Sequence, residues 1–198
     1  MIMVESFGNA LPKVNEVDLK SALPKGLILL LTPIIILIGI LISGNFYLLE
    51  YFHVLSGSAW TGMDLIMGIF FAYIMRGLRN DERAEVSKRL IPVMLFFMPA
   101  IATTTITAGI YLAFAMNINL YSDYFIVVAI LALSLMIIGL LVFLPNELKI
   151  YLELSRGGKN ITKIVSLTMF NIRLSLVQLI LQLTIIVFMA HFATGYPI

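Results

Sequence analysis

Five long apolar stretches, separated by short polar segments, dominate the pattern of the chain. They cover residues 27–43, 46–75, 91–116, 124–144 and 168–192. A helix crosses the hydrocarbon core of a bilayer with ~20 apolar residues, the working range being about 17–25. The pattern therefore predicts an all-α integral membrane protein with five transmembrane helices.

The first stretch has two interpretations. Lysines precede it and its core is apolar, as in a cleaved signal peptide, but the core is long and no A-x-A cleavage site follows. We interpret it as a retained span in which Pro33 introduces a kink. The predicted organisation is a cytoplasmic segment over residues 1–26 and a single transmembrane domain over residues 27–198.

The basic residues set the predicted orientation. Twelve of the 13 lysines and arginines lie before the first span, between the second and third, or between the fourth and fifth. Five spans place these three segments on one side, which the positive-inside rule makes cytoplasmic. We expect a multi-pass protein of the cell membrane with its N-terminus inside and its C-terminus outside. The thirteenth base, Arg173, is interpreted as a snorkelling cation just inside the fifth span.

Charge and composition exclude several classes of protein. Hydrophobic residues make up 61% of the 198 positions and charged residues 12%, too few charges for a water-soluble domain. Residues 76–90 and 146–167 mix acids with bases, so we interpret them as short charged helical connections in water, with no role in nucleic-acid binding. The absence of cysteine excludes disulfides and thiolate metal sites. No phosphate-binding loop, H-E-x-x-H or G-x-S-x-G motif occurs, so the sequence favours a protein that is not an enzyme on its own.

The second span carries a polar stripe. At ~100° per residue, His53, Trp60 and Asp64 lie within about 40° of one another on a helix. Asp64 lies twelve residues from Arg76, hence ~18 Å from the cytoplasmic boundary. An acid at that depth is costly and is either protonated or paired, which makes it a candidate proton or polar site.

Hydroxyl and amide side chains on two other spans are candidates for the same polar site. Thr103 and Thr107 follow Pro99 in the third span, and Gln178 and Gln182 share one face of the fifth. The threonines also fit a purely structural role, in which they bond to backbone carbonyls near the proline. The glutamines require partners inside a bundle rather than lipid, and Asp64 is one such partner.

The two histidines are candidate cofactor ligands. His53 is either a haem or metal ligand, a proton carrier, or a structural histidine bonded to nearby backbone. His191 follows Gln182 by nine residues, half a turn around the helix, so it points away from the glutamine face. A haem held by both histidines requires the last turn to unwind or the haem to lie at the edge of the bundle. The alternative for His191 is an interfacial side chain in contact with water.

A run of residues in the second span resembles a loose superfamily of small membrane proteins. The sequence HVLSGSAWTG starts at His53, and the third span closes on TAGIYL from Thr107. Both segments are similar to those of copper resistance protein D and of HemJ-type protoporphyrinogen oxidases. The resemblance covers residues 46–192 and implies a four-helix core, with the first span as an addition. It also implies a capacity to hold haem b or handle copper, with His53 in the position of the family's histidine.

Three functions follow as hypotheses. The first is a polytopic subunit of a redox or respiratory membrane complex that binds haem b near the outer leaflet through His53, with Trp60 and His191 nearby. The second is a cofactor-free structural or assembly subunit of a larger membrane complex. The third is a proton or metal permease that uses Asp64 and the Gln178/Gln182 face. Expected partners are the lipid bilayer and other membrane protein subunits.

Overall fold

The computed structural model describes residues 19–195, and within this range the chain is helical without strands. Its five helices are α1 (Leu19–Ser43), α2 (Phe46–Gly77), α3 (Asn80–Ala115), α4 (Asp123–Ser155) and α5 (Ile161–Thr194). Each is long and apolar enough to span a membrane. The predicted all-α class and the number of candidate spans are thereby confirmed. Most of the predicted N-terminal segment, residues 1–26, lies outside the described residues.

Short turns connect the helices and force neighbours to run antiparallel. Gly44 adopts a left-handed conformation (φ 62°) between α1 and α2, where a residue without a Cβ is least strained. The Asn45 side chain then caps α2 by accepting a hydrogen bond from the Leu48 amide at 3.1 Å. At the other end of the bundle, residues 78–79 and 156–160 form the turns after α2 and α4. We call this end the basic end, because Arg76, Arg79 and Arg156 lie there.

Several predicted helix boundaries are wrong. Helix α3 starts at Asn80 and α5 at Ile161, so the predicted connections 76–90 and 146–167 are mostly continuations of the neighbouring helices. Charged residues at a helix end extend the same helix beyond the apolar region. Hydropathy therefore marks where the apolar stretch stops but not where the helix stops.

The predicted end of the fourth span at Pro145 is also wrong. A π-helical segment, Gly139–Phe143, precedes this proline, and a new α-helical stretch runs over Leu144–Ser155. Pro145 lies in the first turn of that stretch, where an α-helix leaves backbone N–H groups unpaired in any case. The proline is tolerated at that position, and α4 continues for three more turns.

Helix α3 is the centre of the bundle, contacting α1, α2, α4 and α5. Helix α1 packs only on α3 and, more weakly, on α2, so it lies at the periphery. Helix α5 packs along α2 and α4. In contrast, the first half of α4 makes few contacts with α3, and a partly open cavity lies between them.

Candidate functional site: a polar seam inside the bundle

Seven buried polar side chains form the candidate site, which we call the polar seam. It comprises Asp64 on α2, Glu147 on α4, and Thr168, Asn171, Ser175, Gln178 and Gln182 on α5, each no more than 6% exposed. The five α5 residues are spaced three or four apart, so they share one face of the helix. Arg173 lies on the opposite face and is exposed. The polar face of α5 therefore points into the bundle.

A close helix contact brings α2 and α5 together at the seam. A Cβ atom placed on Gly68 would lie 2.8 Å from the backbone nitrogen of Leu176, so only glycine fits here without a shift. Gly68 lies in a π-helical segment, Ile66–Phe71, which starts two residues after Asp64. Such segments occur frequently at functional sites. The contact places the Asp64 side chain within reach of α5.

Asp64 and Gln182 form the central contact. Gln182 Nε2 donates a hydrogen bond to Asp64 Oδ2 at 2.9 Å, and the Ser175 hydroxyl also interacts with the carboxyl group. Both Asp64 (0% exposed) and Gln182 (4%) are buried. The structure thus joins two residues that sequence analysis selected as candidates from separate spans.

Two oxygen atoms of this pair have no hydrogen-bond partner. They are Asp64 Oδ1 and Gln182 Oε1, and both are buried. An ionised aspartate and an amide oxygen only accept hydrogen bonds, so they leave each other unsatisfied. A proton on Oδ1 changes that atom into a donor and removes the charge of the carboxyl group. The burial of Asp64 therefore favours its carboxylic acid form.

Glu147 is a second buried acid that sequence analysis missed. Its side chain is 5% exposed and interacts electrostatically with Asp64. It was overlooked because the predicted fourth span stopped at residue 144. The buried residues Glu147, Ile150 and Leu154 recur at helical spacing, and this pattern could have indicated a continuing buried face.

The two acids lack a basic partner among the side chains that the structure describes. The ion pairs there involve only residues near the basic end: Arg79 with Asp81 and Glu82, Arg89 with Glu85, and Lys163 with Glu153. A buried carboxylate without a counter-ion is strongly disfavoured. A proton or another mobile cation must therefore neutralise the acids of the seam.

A cavity of about 60 Å³ adjoins the seam. Apolar residues of α2, α3, α4 and α5 line most of it, Trp60 among them, and its polar lining residues are Thr103, Glu147, Thr168, Asn171, Ser175 and Gln178. Two buried atoms of these lining residues, Thr168 Oγ1 and Asn171 Nδ2, have no partner. This volume has room for water, which such unpaired groups would bind.

Trp60 is placed next to the seam. It lies one turn before Asp64 on α2, on the side away from the basic end, and is 5% exposed. Its ring packs with Ile101 and Leu135 in an apolar cluster. This cluster, which we call the tryptophan cluster, separates Asp64 from the end of the bundle that holds the histidines.

The two histidines lie against different helices. His53 Nδ1 is 2.9 Å from the Thr105 carbonyl oxygen on α3, and the imidazole covers Gly109. Since a carbonyl only accepts, Nδ1 carries the proton and Nε2 is left as the unprotonated nitrogen of a neutral ring. The ring of His191 instead stacks on Tyr124 of α4, with centroids 4.1 Å apart.

The predicted threonines lie outside the seam. Thr103 is exposed and its hydroxyl donates to the Pro99 carbonyl at 2.7 Å, while Thr107 is half-buried. Thr104 and Thr105 bond in the same way to Ala100 and Ile101. These bonds match the structural role that the sequence allowed for hydroxyls following a proline.

The arrangement of possible ligands and the size of the cavity determine whether a haem or a metal ion fits. Within residues 19–195 no three His, Asp or Glu side chains are grouped as metal ligands. The 60 Å³ cavity is far smaller than the ~300–1,000 Å³ of pockets for drug-sized ligands, so a haem does not fit into the seam. His53 alone retains a geometry suited to ligation, through Nε2.

Comparison of the chain with protein-family models, with curated proteins and with solved structures finds no match.

Proposed function

We propose that the protein is a multi-pass membrane protein that carries protons within the bilayer, with Asp64 and Glu147 as the proton-binding groups. One observation carries the proposal: Asp64 is buried against Gln182 with one carboxyl oxygen that has no hydrogen-bond partner, and no ion pair among the described residues involves this acid. Acids facing the interior of a membrane bundle are typical of proton relays. The proposal thus develops the permease hypothesis that the sequence raised.

The arrangement of the seam suggests a direction of entry. Glu147 lies nearer the basic end than Asp64 does, and it lines the same cavity as Ser175, which also interacts with Asp64. A proton would enter at Glu147, pass through the cavity and the Ser175 hydroxyl, and reach Asp64. The tryptophan cluster lies beyond Asp64 and is apolar, and Trp60 and Leu135 of this cluster also line the cavity, so onward transfer must cross an apolar region. We therefore expect controlled rather than continuous conduction.

Proton movement into proteoliposomes tests the proposal. Vesicles loaded with a pH-sensitive dye would receive a potassium diffusion potential, and the initial rate of internal acidification would be measured. We expect Asp64→Asn to reduce this rate at least tenfold, because the amide preserves shape and hydrogen bonding but binds no proton. Asp123→Asn is the matched control: the same change at an exposed acid at the start of α4 should leave the rate unchanged. Equal rates for the unmodified protein and Asp64→Asn would contradict the proposal.

A second candidate function is a haem-binding redox subunit, and one observation favours it. The Nδ1–H of His53 is held by a backbone carbonyl, which fixes the ring as second-shell contacts do for ligating histidines. The haem would lie at the edge of the bundle beside His53. A Soret band that is lost in His53→Ala would support this function, and native preparations without absorbance above the protein band would contradict it.

A further inference from the structure

We propose that the Asp64–Gln182 pair, together with Ser175, binds a small monovalent cation, Na⁺ or Li⁺, in competition with the proton. This inference rests on the proposed function, since it concerns the same carboxyl group. It adds a substrate class to that site: a cation that exchanges for the proton.

The first observation that supports the cation site is a pair of buried oxygen atoms without hydrogen-bond donors. Asp64 Oδ1 and Gln182 Oε1 are both buried and without a donor, and they belong to side chains that a 2.9 Å hydrogen bond holds together. With Gln182 Nε2 donating to Asp64 Oδ2, the amide oxygen Oε1 is the free oxygen of this pair. Carboxylate, amide and hydroxyl oxygens are the ligands that hard cations prefer.

Charge is the second support, and it favours a single positive charge. Asp64 carries one negative charge when ionised, and Glu147 is the other titratable group of the seam that interacts with it. Neither acid is in an ion pair among the described side chains. With Glu147 protonated, one monovalent ion neutralises the site. Ca²⁺ and Mg²⁺ would leave an excess charge and require six or more oxygen ligands.

The third observation that supports the cation site is the cavity beside Ser175. Ser175 contributes both to the Asp64 contact and to the wall of the 60 Å³ cavity, so its hydroxyl links an ion at Asp64 to the space that holds water. The cavity also provides an approach from the Glu147 side. The site is thus buried without being cut off from mobile ligands.

The single tryptophan of the chain supplies a direct readout. Trp60 lies one helical turn from Asp64 and is buried, so its emission reports a change of charge there. Purified full-length protein in detergent would be titrated with NaCl or LiCl, with choline chloride keeping the ionic strength constant. We expect a saturable change in emission whose apparent Kd for Na⁺ rises up to about tenfold for each unit decrease in pH, because the proton competes for the same oxygen atoms.

Variants of the protein and a second salt test whether the change in emission comes from this site. Asp64→Asn should abolish the saturable response, and Gln182→Met should weaken it at least tenfold while circular dichroism shows an intact helical fold. Asp123→Asn should respond as the unmodified protein does. An equal response to KCl, or a response that survives in Asp64→Asn, would overturn the inference, because the effect would then not be specific to the site.

Failure of the cation site can be distinguished from failure of the proposed proton carriage. Proton movement that depends on Asp64 without any response to Na⁺ or Li⁺ overturns the cation site alone. A saturable Na⁺ response that depends on Asp64, in a protein that moves no protons, supports the cation site and overturns proton carriage.

Discussion

The polar seam and the histidine contact are both built from polar residues between packed helices, but they differ in how well their hydrogen bonds are satisfied. In the histidine contact, Nδ1 of His53 meets the Thr105 carbonyl, and the Ser56 hydroxyl donates to the His53 carbonyl at 3.2 Å. The seam, in contrast, contains all four buried side-chain atoms without a partner that occur among the described residues.

This difference separates a structural polar contact from a candidate functional one. Buried polar groups in proteins are almost always paired, and exceptions call for a ligand, a water or a proton that is not accounted for. Where a backbone carbonyl satisfies a side chain, as at His53, no unpaired atom calls for a further ligand. Where a carboxyl and an amide leave their oxygens unpaired, as at Asp64 and Gln182, stability alone does not explain them.

The largest expected effect comes from the tryptophan cluster, which separates the two regions. Trp60→Ala removes a buried indole between Ile101 and Leu135 and should lower the free energy of unfolding by about 3–5 kcal/mol. Thermal unfolding followed by circular dichroism measures the loss. Tyr73→Ala is the control, since this aromatic ring is 82% exposed and its removal should change stability little. Similar losses for the two variants would mean that the tryptophan cluster is not a packed barrier.

The next effect concerns the contact that holds the seam together. Gly68→Ala places a Cβ 2.8 Å from the Leu176 backbone and should cost about 1–3 kcal/mol as α2 and α5 separate. We also expect slower proton movement, because Asp64 is drawn away from Gln182. On the same helix, Gly62→Ala meets no atom within 4 Å and should be neutral or slightly stabilising. Equal unfolding midpoints for the two alanine variants would contradict the close approach.

A smaller effect is expected at the histidine contact. His53→Ala removes one hydrogen bond to the Thr105 carbonyl and should cost about 1 kcal/mol. Proton movement should continue, because the seam is intact. Gly109→Ala tests the same contact independently, since its Cβ would lie 2.8 Å from His53 Cε1 and displace the ring. Loss of proton movement in both variants would show that the two regions work as one site.

The sequence predicted the elements of this fold better than their ends. Apolar stretches of membrane-spanning length locate each helix, because burial in lipid depends on composition alone. The ends depend on local backbone chemistry that hydropathy does not register. The π-helical segment Gly139–Phe143 illustrates this, since it allows α4 to continue through Pro145.

The candidate site was predictable in part for a similar reason. Helical angles place Gln178 and Gln182 on one face, and the depth of Asp64 indicates a polar partner, so this half of the seam follows from periodicity. Glu147 was missed because it lies beyond the assumed end of the fourth span. The bond between His53 and the Thr105 carbonyl joins residues 52 positions apart and requires the packing of α2 on α3. No pattern within one helix contains that information.

The smallest expected effect on stability is the most direct test of the difference between the polar seam and the histidine contact. Asp64→Asn should change the free energy of unfolding by less than about 0.5 kcal/mol, or increase it, even though the residue is fully buried. An asparagine keeps the shape of the side chain and an acceptor oxygen for Gln182 Nε2, and it carries no charge to be buried.

Asp64→Leu is the contrasting variant, because it leaves both ends of the Gln182 amide buried without partners and should cost about 1–3 kcal/mol. Thermal unfolding of the two variants beside the unmodified protein measures the difference. A marked loss of stability in Asp64→Asn would mean that the ionised carboxylate has a partner in the fold, and the assignment of Asp64 as a neutral acid would be wrong. Stability retained together with lost proton movement is the combination expected only of a group whose role is to exchange its proton.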